Sequence, residues 1–381
     1  MRIAAVSTIN KSYLLSNYGS FFQHYALRQV LAKWGIQSFR VRPHGERCSG
    51  LQILLDGIKD TIRPMYWKVK RLPGREQHAK HLRFRNKLNK KFLRDFRRLI
   101  APFDESMQFT DQTCGIKGGD QVLGLGDDAM WLSDILEGNP KVCYAASRDW
   151  RSLCNDEEVK RYLHDRLSTF SAIGIRESRG VEMISSITGR KEIVARVADP
   201  VLLLSVGELR NVAVKKAIFS KPTLLCYLVN TRSESDLQFK ELVQLSKELD
   251  CELRIIGIQG TEDFVPSNFL MSPSPTEFLR AVEEAKYFIT NSFHGLVFGL
   301  MFQKQLVFMP QRNLPEQDQN ERQMELLSRY GLLNRLIKWN ASAEELASII
   351  LSNIDWHLVS ATMNDERDFS ISWLKESLRI K

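Results

Sequence analysis

The stretch KYFITNSFHGLVFGLMFQKQLVFMP (residues 286–310) decides the fold of this chain. Its first part, KYFITNS, is an apolar run of strand type, and Phe293, His294 and Gly295 come directly after it. A helical stretch, LVFGLMFQ, and a second strand, QLVFMP, form the rest of this stretch. A strand, a helix and a strand in this order predict a β-α-β unit with two parallel strands. Side chains that directly follow the first strand then lie at the carboxyl edge of a parallel sheet, where such sheets bind ligands.

The same alternation continues on both sides of this stretch. Before it, the pattern predicts strands at 222–230 and 251–258, and helices at 233–249 and 275–285. In the first half of the chain it predicts a strand at 2–9, a turn at 17–20, a helix at 21–34, and further strands at 38–41, 121–126, 141–147, 171–177 and 192–200. Successive units of this kind build doubly wound sheets. The sequence therefore predicts an α/β fold with two doubly wound, Rossmann-like domains that face each other across a cleft.

The length of 381 residues suits two domains of common size. We expect an N-terminal domain over 1–205, a C-terminal domain over 221–340 and a helical segment over 341–381, with the boundary inside 204–221. A basic helical insertion is expected within the first domain at about 43–102. In the last segment Trp339, Trp356 and Trp373 are candidate packing anchors.

Cysteine usage and hydropathy restrict the class of protein. The six cysteines (Cys48, Cys114, Cys143, Cys154, Cys226 and Cys251) form no CxxC pair and no zinc-ligand spacing, so neither a disulfide scaffold nor a metal site is expected. The first residues do not have the pattern of a secretory signal, and no apolar run approaches the roughly 18 residues that span a bilayer. We therefore expect a cytoplasmic protein.

The positive charge of the chain is concentrated in one segment. The formal net charge is +9, yet residues 68–98 alone contain thirteen Lys or Arg and two acidic residues. A protein that coats nucleic acid would carry its basic residues more widely, so nucleic acid is not an expected partner. Leu88, Phe92, Phe96 and Leu99 recur at helical spacing within or next to this segment. Two interpretations stay open: a docked helix with a solvated cationic face, or a helix that faces anionic lipid or a lipid-linked pyrophosphate at the inner face of the plasma membrane.

His294 is the first candidate for chemistry. A histidine at the end of a strand exchanges protons near physiological pH and can act as a general acid or base. The following Gly295 would let a backbone N–H approach an anion where the helix begins. The alternative is a buried histidine with a purely structural role.

Polar residues follow the predicted strands of the first domain as well. Arg176 and Glu177 end the strand at 171–177, where the guanidinium can grip a carboxylate or a phosphate, or can pair with Glu177 at the surface. Asn17 with Gly19, and Asp127 with Asp128, follow earlier strands and can contact a sugar or cap the next helix. The two adjacent aspartates do not by themselves make a metal cage. The sequence has no G-x-x-x-x-G-K-[ST] motif, no G-x-G-x-x-G after the first predicted strand and no G-x-S-x-G elbow, so no cofactor is expected.

Seven segments of the sequence, in order, resemble the polysaccharide pyruvyl transferase family. They are NYGSFFQHYALRQVL (17–31), LGLGDDAMW (123–131), YAAS (144–147), IRESRGVEMI (175–184), TGRKEIVARVADPVLLL (188–204), EEAKYFITNSFHGLVFGLMFQKQLVF (283–308) and NERQMELL (320–327). There are also differences from the family pattern. Ser292 stands where part of the family has arginine, and Ala129 and Asp127 replace a glutamine and a serine.

The resemblance implies the GT-B architecture of glycosyltransferases together with a different donor, phosphoenolpyruvate. Members attach pyruvate as a cyclic ketal to a sugar of a surface polysaccharide, often on a polyprenyl-pyrophosphate-linked precursor, and release phosphate. The donor would bind to the C-terminal domain and the acceptor to the N-terminal domain.

The resemblance also assigns roles to single residues. It makes His294 the general acid. The chemistry also needs a group that accepts the hydroxyl proton, and Asp128 or Glu177 could do so. Donor-binding residues would be Arg176, Ser292, Gly295 and Arg322, and acceptor-binding residues would be Asn17, Gly19, Gln23 and Asp127. Two alternatives stay open: a GT-B glycosyltransferase with a nucleotide-sugar donor, and a non-catalytic partner in polysaccharide assembly.

Overall fold

The structure is a computed structural model, and it describes residues 3–7, 17–41, 75–100, 110–119, 123, 131–231, 233–258, 261–311 and 320–380. The first unit contains six strands: β1 (Ile3–Ser7), β2 (Gln37–Arg40), β3 (Thr113–Gly118), β4 (Lys141–Ala146), β5 (Ala172–Ile175) and β6 (Val194–Arg196). Its helices are α1 (Tyr18–Lys33), α2 (Arg75–Leu99), α3 (Trp150–Leu153), α4 (Glu157–Leu167), α5 (Ser178–Thr188) and α6 (Val206–Val212), with a 3₁₀ turn at Pro200–Leu203.

The second unit contains the strands β7 (Thr223–Tyr227), β8 (Glu252–Ile256), β9 (Leu270–Met271), β10 (Tyr287–Thr290) and β11 (Gln305–Phe308). Its helices are α7 (Glu234–Leu237), α8 (Phe239–Glu248), α9 (Pro275–Glu284), α10 (Phe293–Met301) and α11 (Glu321–Arg329), followed by α12 (Ala343–Leu351) and α13 (Trp356–Ser377). The helices α12 and α13 confirm the predicted helical character of the last segment.

Both sheets are parallel and doubly wound. The first has the strand order β2-β1-β3-β4-β5-β6 and the second β11-β10-β7-β8-β9. The direction of winding reverses between β1 and β3 in the first sheet and between β7 and β10 in the second. Such switch points open a crevice at the carboxyl ends of the strands. The predicted fold class is confirmed, whereas the domain boundary inside 204–221 remains a prediction.

Helix α1 joins the two units. Almost all of its side chains are buried, which is typical of a helix covered on every side. Tyr18 stacks on Phe278 of the second unit with 4.3 Å between ring centroids, and Phe22 meets Phe298 edge-on at 5.4 Å. One apolar core therefore continues from the first sheet through α1 into the second unit.

The C-terminal helix α13 returns to the first sheet. The Ser370 hydroxyl accepts a hydrogen bond from the Ala198 amide at 2.8 Å, and Glu366 pairs with Arg196 at 2.6 Å. Leu374 is fully buried in the shared core. Both partners, Ala198 and Arg196, lie at or just after β6, so this helix supports the edge of the sheet that carries the site described below.

One strand of the first sheet differs from the sequence prediction. Strand β3 (TCGIKG) was not predicted, because two glycines and a lysine are unusual in a strand. All six of its residues are nevertheless buried. The strand predicted at 121–126 lies outside the described residues except for Leu123, which is not in a strand. None of the described helices combines the length and the apolar composition needed to cross a membrane.

Candidate active site

Four polar residues meet at the carboxyl edge of the first sheet. Ser147 follows β4, Arg176 and Glu177 follow β5, and Asp199 stands three residues beyond β6. All four are at most 2 % exposed. Because the strands are parallel and adjacent, their ends bring these side chains together although 52 positions separate the first from the last.

Arg176 is the centre of this group. Its guanidinium donates to the Glu177 carboxylate at 2.8 Å, to the Asp199 carboxylate at 3.0 Å and to the Ser147 hydroxyl at 2.9 Å. Glu177 in turn accepts from Ser147 at 2.8 Å and from the Trp150 indole at 2.9 Å. A buried charge is tolerated only when it is paired and hydrogen-bonded in this way.

The Asp199 carboxylate accepts hydrogen bonds from several elements of the fold. One carboxylate oxygen accepts from the Val201 amide at 3.0 Å, and the other accepts from Gln23 at 2.7 Å and from Arg176. Burial alone raises the pKa of this carboxyl, but the nearby charges of His294 and Arg176 outweigh burial and lower the pKa to about 2. Asp199 is therefore an anion at any physiological pH.

The second unit contributes His294 from the turn between β10 and α10. Asn291 fixes this turn: its amide oxygen accepts from the Val229 amide at 2.6 Å, and its NH₂ group donates to the Val229 carbonyl at 2.8 Å. Ser292 then caps α10 by accepting from the Gly295 amide at 3.3 Å. The turn lies at the switch point between β7 and β10, so it presents His294 at the crevice of the second sheet.

The imidazole of His294 crosses to the first unit and faces Asp199. Its Nε2 lies 3.4 Å from the Asp199 carboxylate, an ion-pair distance, but the alignment of a hydrogen bond is not met. His294 is 5 % exposed. On its other side, a methyl group added to Gly19 would lie 2.1 Å from Nδ1, so the ring rests directly on the backbone of α1.

Phe293 strengthens the same contact between units. Its ring lies over the Arg176 guanidinium at 3.8 Å, a cation–π distance. Arg176, Glu177 and Asp199 together carry one net negative charge, and a protonated His294 would neutralise it. The arrangement is thus an imidazole, held by neighbouring residues of both units, beside a permanent carboxylate. Such a pair can hold a proton and deliver it to a bound molecule.

Helix α11 closes the rim of the site. The Glu325 carboxylate accepts from the amide and the hydroxyl of Ser178 at 2.7 and 2.8 Å, and so caps α5 of the other unit. Gln323 donates to the Asn291 carbonyl at 3.4 Å. Arg322 precedes Gln323 in α11 and is half-buried.

The predicted acceptor residues fall into different positions. Asn17 caps α1 by accepting from the Ser20 amide at 3.1 Å, which is the helix-capping alternative. Gly19 and Gln23 contact His294 and Asp199, as described above. Asp127 and Asp128 lie outside the described residues. All four remain predictions as ligand contacts.

The predicted donor residues are already engaged within the protein to different degrees. Ser292 and Gly295 bond to each other in the α10 cap, and Arg176 donates to three protein groups. Both oxygens of Glu177 accept hydrogen bonds, which favours a supporting role for it over a catalytic one. The described residues contain no group of three His, Cys, Asp or Glu side chains that could hold a metal ion.

Asp199 is the important residue that the sequence did not single out. It stands in an Ala-Asp-Pro sequence that reads as the end of a strand, and its partner Gln23 is 176 positions away. One signal was present: like Arg176, it stands at the carboxyl end of a predicted parallel strand, so both had to lie at one edge of the sheet.

Comparison with known proteins gives a family and a fold. A sequence model described as polysaccharide pyruvyl transferase matches residues 17–312. Among curated proteins, no relative matches the sequence.

Solved structures match along the whole chain at low sequence identity. The UDP-GlcNAc 2-epimerase of Methanocaldococcus jannaschii has a TM-score of 0.54 and 11 % identity, with 99 % of this chain and 100 % of that chain covered. The enzyme of the same name from Neisseria meningitidis, bound to UDP-GlcNAc, has a TM-score of 0.53 and 11 % sequence identity, with 100 % of both chains covered. MnaA of S. aureus in complex with UDP also has a TM-score of 0.53 and 11 % sequence identity, with 100 % of this chain and 98 % of that chain covered. At this identity the likeness concerns the fold, which is of the GT-B type.

The close contact between Gly19 and His294 makes a prediction about stability. Gly19→Ala is expected to lower the free energy of unfolding by about 1–3 kcal/mol, because the added methyl group forces the imidazole away from α1. The matched control is Gly207→Ala in α6, where the added carbon meets only Ser205 at 3.7 Å. There alanine leaves stability unchanged or raises it by up to about 1 kcal/mol. Urea denaturation measures both, and equal stability of the two variants would contradict the contact.

Proposed function

Because the chain belongs to the polysaccharide pyruvyl transferase family, we propose that it transfers the enolpyruvyl group of phosphoenolpyruvate to a sugar of a surface polysaccharide or its lipid-linked precursor. The product is a pyruvate ketal across two hydroxyl groups, and phosphate is released. The observation that supports this reaction most is the pair of His294 and Asp199, since the reaction begins with a proton transfer.

His294 is the proton donor in this proposal. Protonation of the methylene carbon of phosphoenolpyruvate gives an oxocarbenium-like centre at the neighbouring carbon. The Asp199 carboxylate stabilises the protonated imidazole before the transfer. The buried position of the pair, at most 5 % exposed, keeps its electrostatic interaction strong.

The two sugar hydroxyl groups complete the ketal in successive steps. One sugar hydroxyl attacks the oxocarbenium-like carbon, and its proton returns to the enzyme. Phosphate then leaves, the second hydroxyl attacks the same carbon, and its proton departs with the phosphate. We propose Asp128 as the group that accepts the hydroxyl proton, because both carboxylate oxygens of Glu177 are already hydrogen-bonded.

The anionic groups of the donor need positive partners. Arg322 is a candidate partner because it precedes Gln323, whose side chain donates to the turn that carries His294. The N-terminal end of α10, with Ser292 and Gly295, carries the positive end of the helix dipole. Arg176 is engaged by protein groups and contributes its charge from beneath the site. The acceptor is proposed to bind to the first unit, with Asn17, Gly19, Gln23 and Asp127 as its predicted contacts.

In this proposal the basic side of α2 attracts the protein to the membrane that carries the lipid-linked acceptor. The exposed side of α2 carries Arg83, Lys87, Lys90, Arg94 and Arg97 at intervals of three or four residues. Each basic residue near an anionic membrane contributes about 1 kcal/mol of attraction. We therefore place the protein at the inner face of the plasma membrane, where a polyprenyl-pyrophosphate-linked acceptor would be found.

Replacement of His294 tests the proposed chemistry. His294→Ala is expected to lower kcat by about 10²–10⁴-fold, because the general acid is lost. Its Kd for phosphoenolpyruvate is expected to change less than about threefold, since the ring binds no donor phosphate or carboxylate. Phosphate release with a panel of sugar diols measures turnover, and calorimetry measures binding. The control is His164→Ala, whose side chain is 57 % exposed on α4.

Each alternative has its own outcome in this experiment. A His294→Ala protein that retains the full rate would remove His294 from catalysis. Binding of a nucleotide diphosphate in place of phosphoenolpyruvate would favour the nucleotide-sugar glycosyltransferase. A protein that supports polysaccharide assembly in cells equally well with and without His294 would be a non-catalytic partner.

A charge-reversal variant tests the membrane contact. Arg83→Glu/Lys87→Glu/Lys90→Glu is expected to abolish sedimentation with phosphatidylglycerol-containing vesicles at low salt. Wild type is expected to bind them and to be released at about 0.5 M salt, where screening is strong. The control Arg161→Glu/Lys191→Glu/Lys216→Glu changes the charge equally at three other exposed positions. Binding that survives the first variant, or is lost equally in the control, would contradict a specific role for α2.

A further inference from the structure

Helix α2 belongs to the first unit by its place in the chain, but it covers part of the second sheet. Lys91 donates to the Ser272 carbonyl and to the Glu277 carboxylate, both at 2.8 Å. The Asp95 carboxylate accepts from the amide and the hydroxyl of Thr276 at 3.0 and 2.8 Å. Ser272 directly follows β9, and Thr276 lies in the first turn of α9. The helix therefore lies against the carboxyl end of β9.

The same helix also reaches the end of β8. Gly257 directly follows β8, and a methyl group added there would lie 2.8 Å from the ring of Phe84. Phe84 thus rests on the backbone at that point. Tyr18 of α1 lies at the same end of the sheet, because its hydroxyl donates to the Pro273 carbonyl at 2.7 Å. Phe84, Lys91 and Asp95 of α2, together with Tyr18, form a wall at the carboxyl ends of β8 and β9.

Asp95 occupies the start of α9 permanently. It is 1 % exposed. Burial raises the pKa of its carboxyl, but hydrogen bonds from Thr276, Ser274 and Arg94 outweigh burial, and the pKa is lowered. A protein carboxylate therefore holds the positive end of α9, where a ligand anion would otherwise bind.

The strand order shows what this wall excludes. The crevice of the second sheet opens between β7 and β10, and β8 and β9 continue on the β7 side. In doubly wound sheets a nucleotide places its phosphates at the switch point and its ribose at the end of the next strand on that side. Here that next strand is β8, whose end is covered by Phe84. In the described part of the chain, the contacts of α2 given above lie on the β8 and β9 side, whereas Ser292 and His294 lie on the β10 side.

We infer that α2 is the element that selects the donor: it fills the nucleoside half of the crevice in the second unit and leaves room for a small phosphorylated acid alone. This inference rests on the proposed function, in which the donor is phosphoenolpyruvate. It adds the physical reason why a fold that suits nucleotide sugars would reject them. The selecting residues are Phe84, Lys91 and Asp95, which lie at the β8 and β9 side of the crevice, whereas His294 follows β10.

Calorimetry with two ligands tests the inference. Wild type is expected to bind phosphoenolpyruvate and to give no binding heat with UDP up to about 1 mM. Phe84→Ala/Lys91→Ala removes the cover from β8 and β9, so UDP binding is expected to appear with a Kd below about 1 mM, while the Kd for phosphoenolpyruvate stays within about threefold. The matched control Lys87→Ala/Lys90→Ala changes the exposed side of the same helix and is expected to bind the two ligands as wild type does.

The outcomes separate this inference from the proposed function. A Phe84→Ala/Lys91→Ala protein that binds phosphoenolpyruvate and still rejects UDP would overturn the selecting role of α2. Wild type that binds no phosphoenolpyruvate would instead overturn the proposed donor.

A second measurement does not depend on any ligand. Thr276→Cys, at a fully buried position under Asp95, is expected to react with a thiol reagent at least about tenfold more slowly than Ser267→Cys, at an exposed position. Equal reactivity would show that α2 does not cover the end of β9, and would overturn the inference even if the variants above fail to fold.

Discussion

The buried carboxylate of Asp199 is the interaction on which the rest of the site depends. A carboxylate removed from water destabilises the fold unless several donors surround it. Gln23 of α1 and Arg176, which follows β5, donate hydrogen bonds to Asp199, and His294 of the second unit lies at an ion-pair distance. Each of these side chains is thereby fixed in one orientation. The same charge that folding must satisfy also lies beside the imidazole of His294.

The site depends on contact between the two units. His294 and Phe293 come from the second unit, and both of their partners, Asp199 and Arg176, come from the first. Around them, α1 is buried between the units, Glu325 of α11 caps α5, and α13 returns to the end of β6. Separation of the units would leave the imidazole without its carboxylate and the guanidinium without its aromatic cover. Catalytic competence and closure of the cleft are therefore one property in this account.

Much of the fold could be predicted from the sequence because parallel strands are continuous apolar runs, and because a polar residue after such a run must lie at the sheet edge. His294, Arg176 and Glu177 were found by that rule. What they do was harder to predict, since it depends on partners far away in the chain. Gln23 donates to Asp199 from 176 positions away in the sequence, and the two oxygens of the Glu177 carboxylate accept hydrogen bonds from Ser147 and Trp150.

Strand β3 was missed because its sequence resembles a loop, although its six residues are buried. The apolar face of α2 was predicted correctly from Leu88, Phe92 and Phe96, but its docking on the second sheet has no signal in the spacing.

The central claim is that a proton from the imidazole of His294 reaches the methylene carbon of phosphoenolpyruvate. The most direct test is mass spectrometry of the modified acceptor after a reaction in D₂O, with wild type and with His294→Ala as the control. The account predicts one deuterium in the methyl group of each transferred pyruvyl unit, with product formation strongly reduced in the control. An acceptor that gains a phosphoryl group, or a pyruvyl unit whose methyl group carries no deuterium, would contradict it.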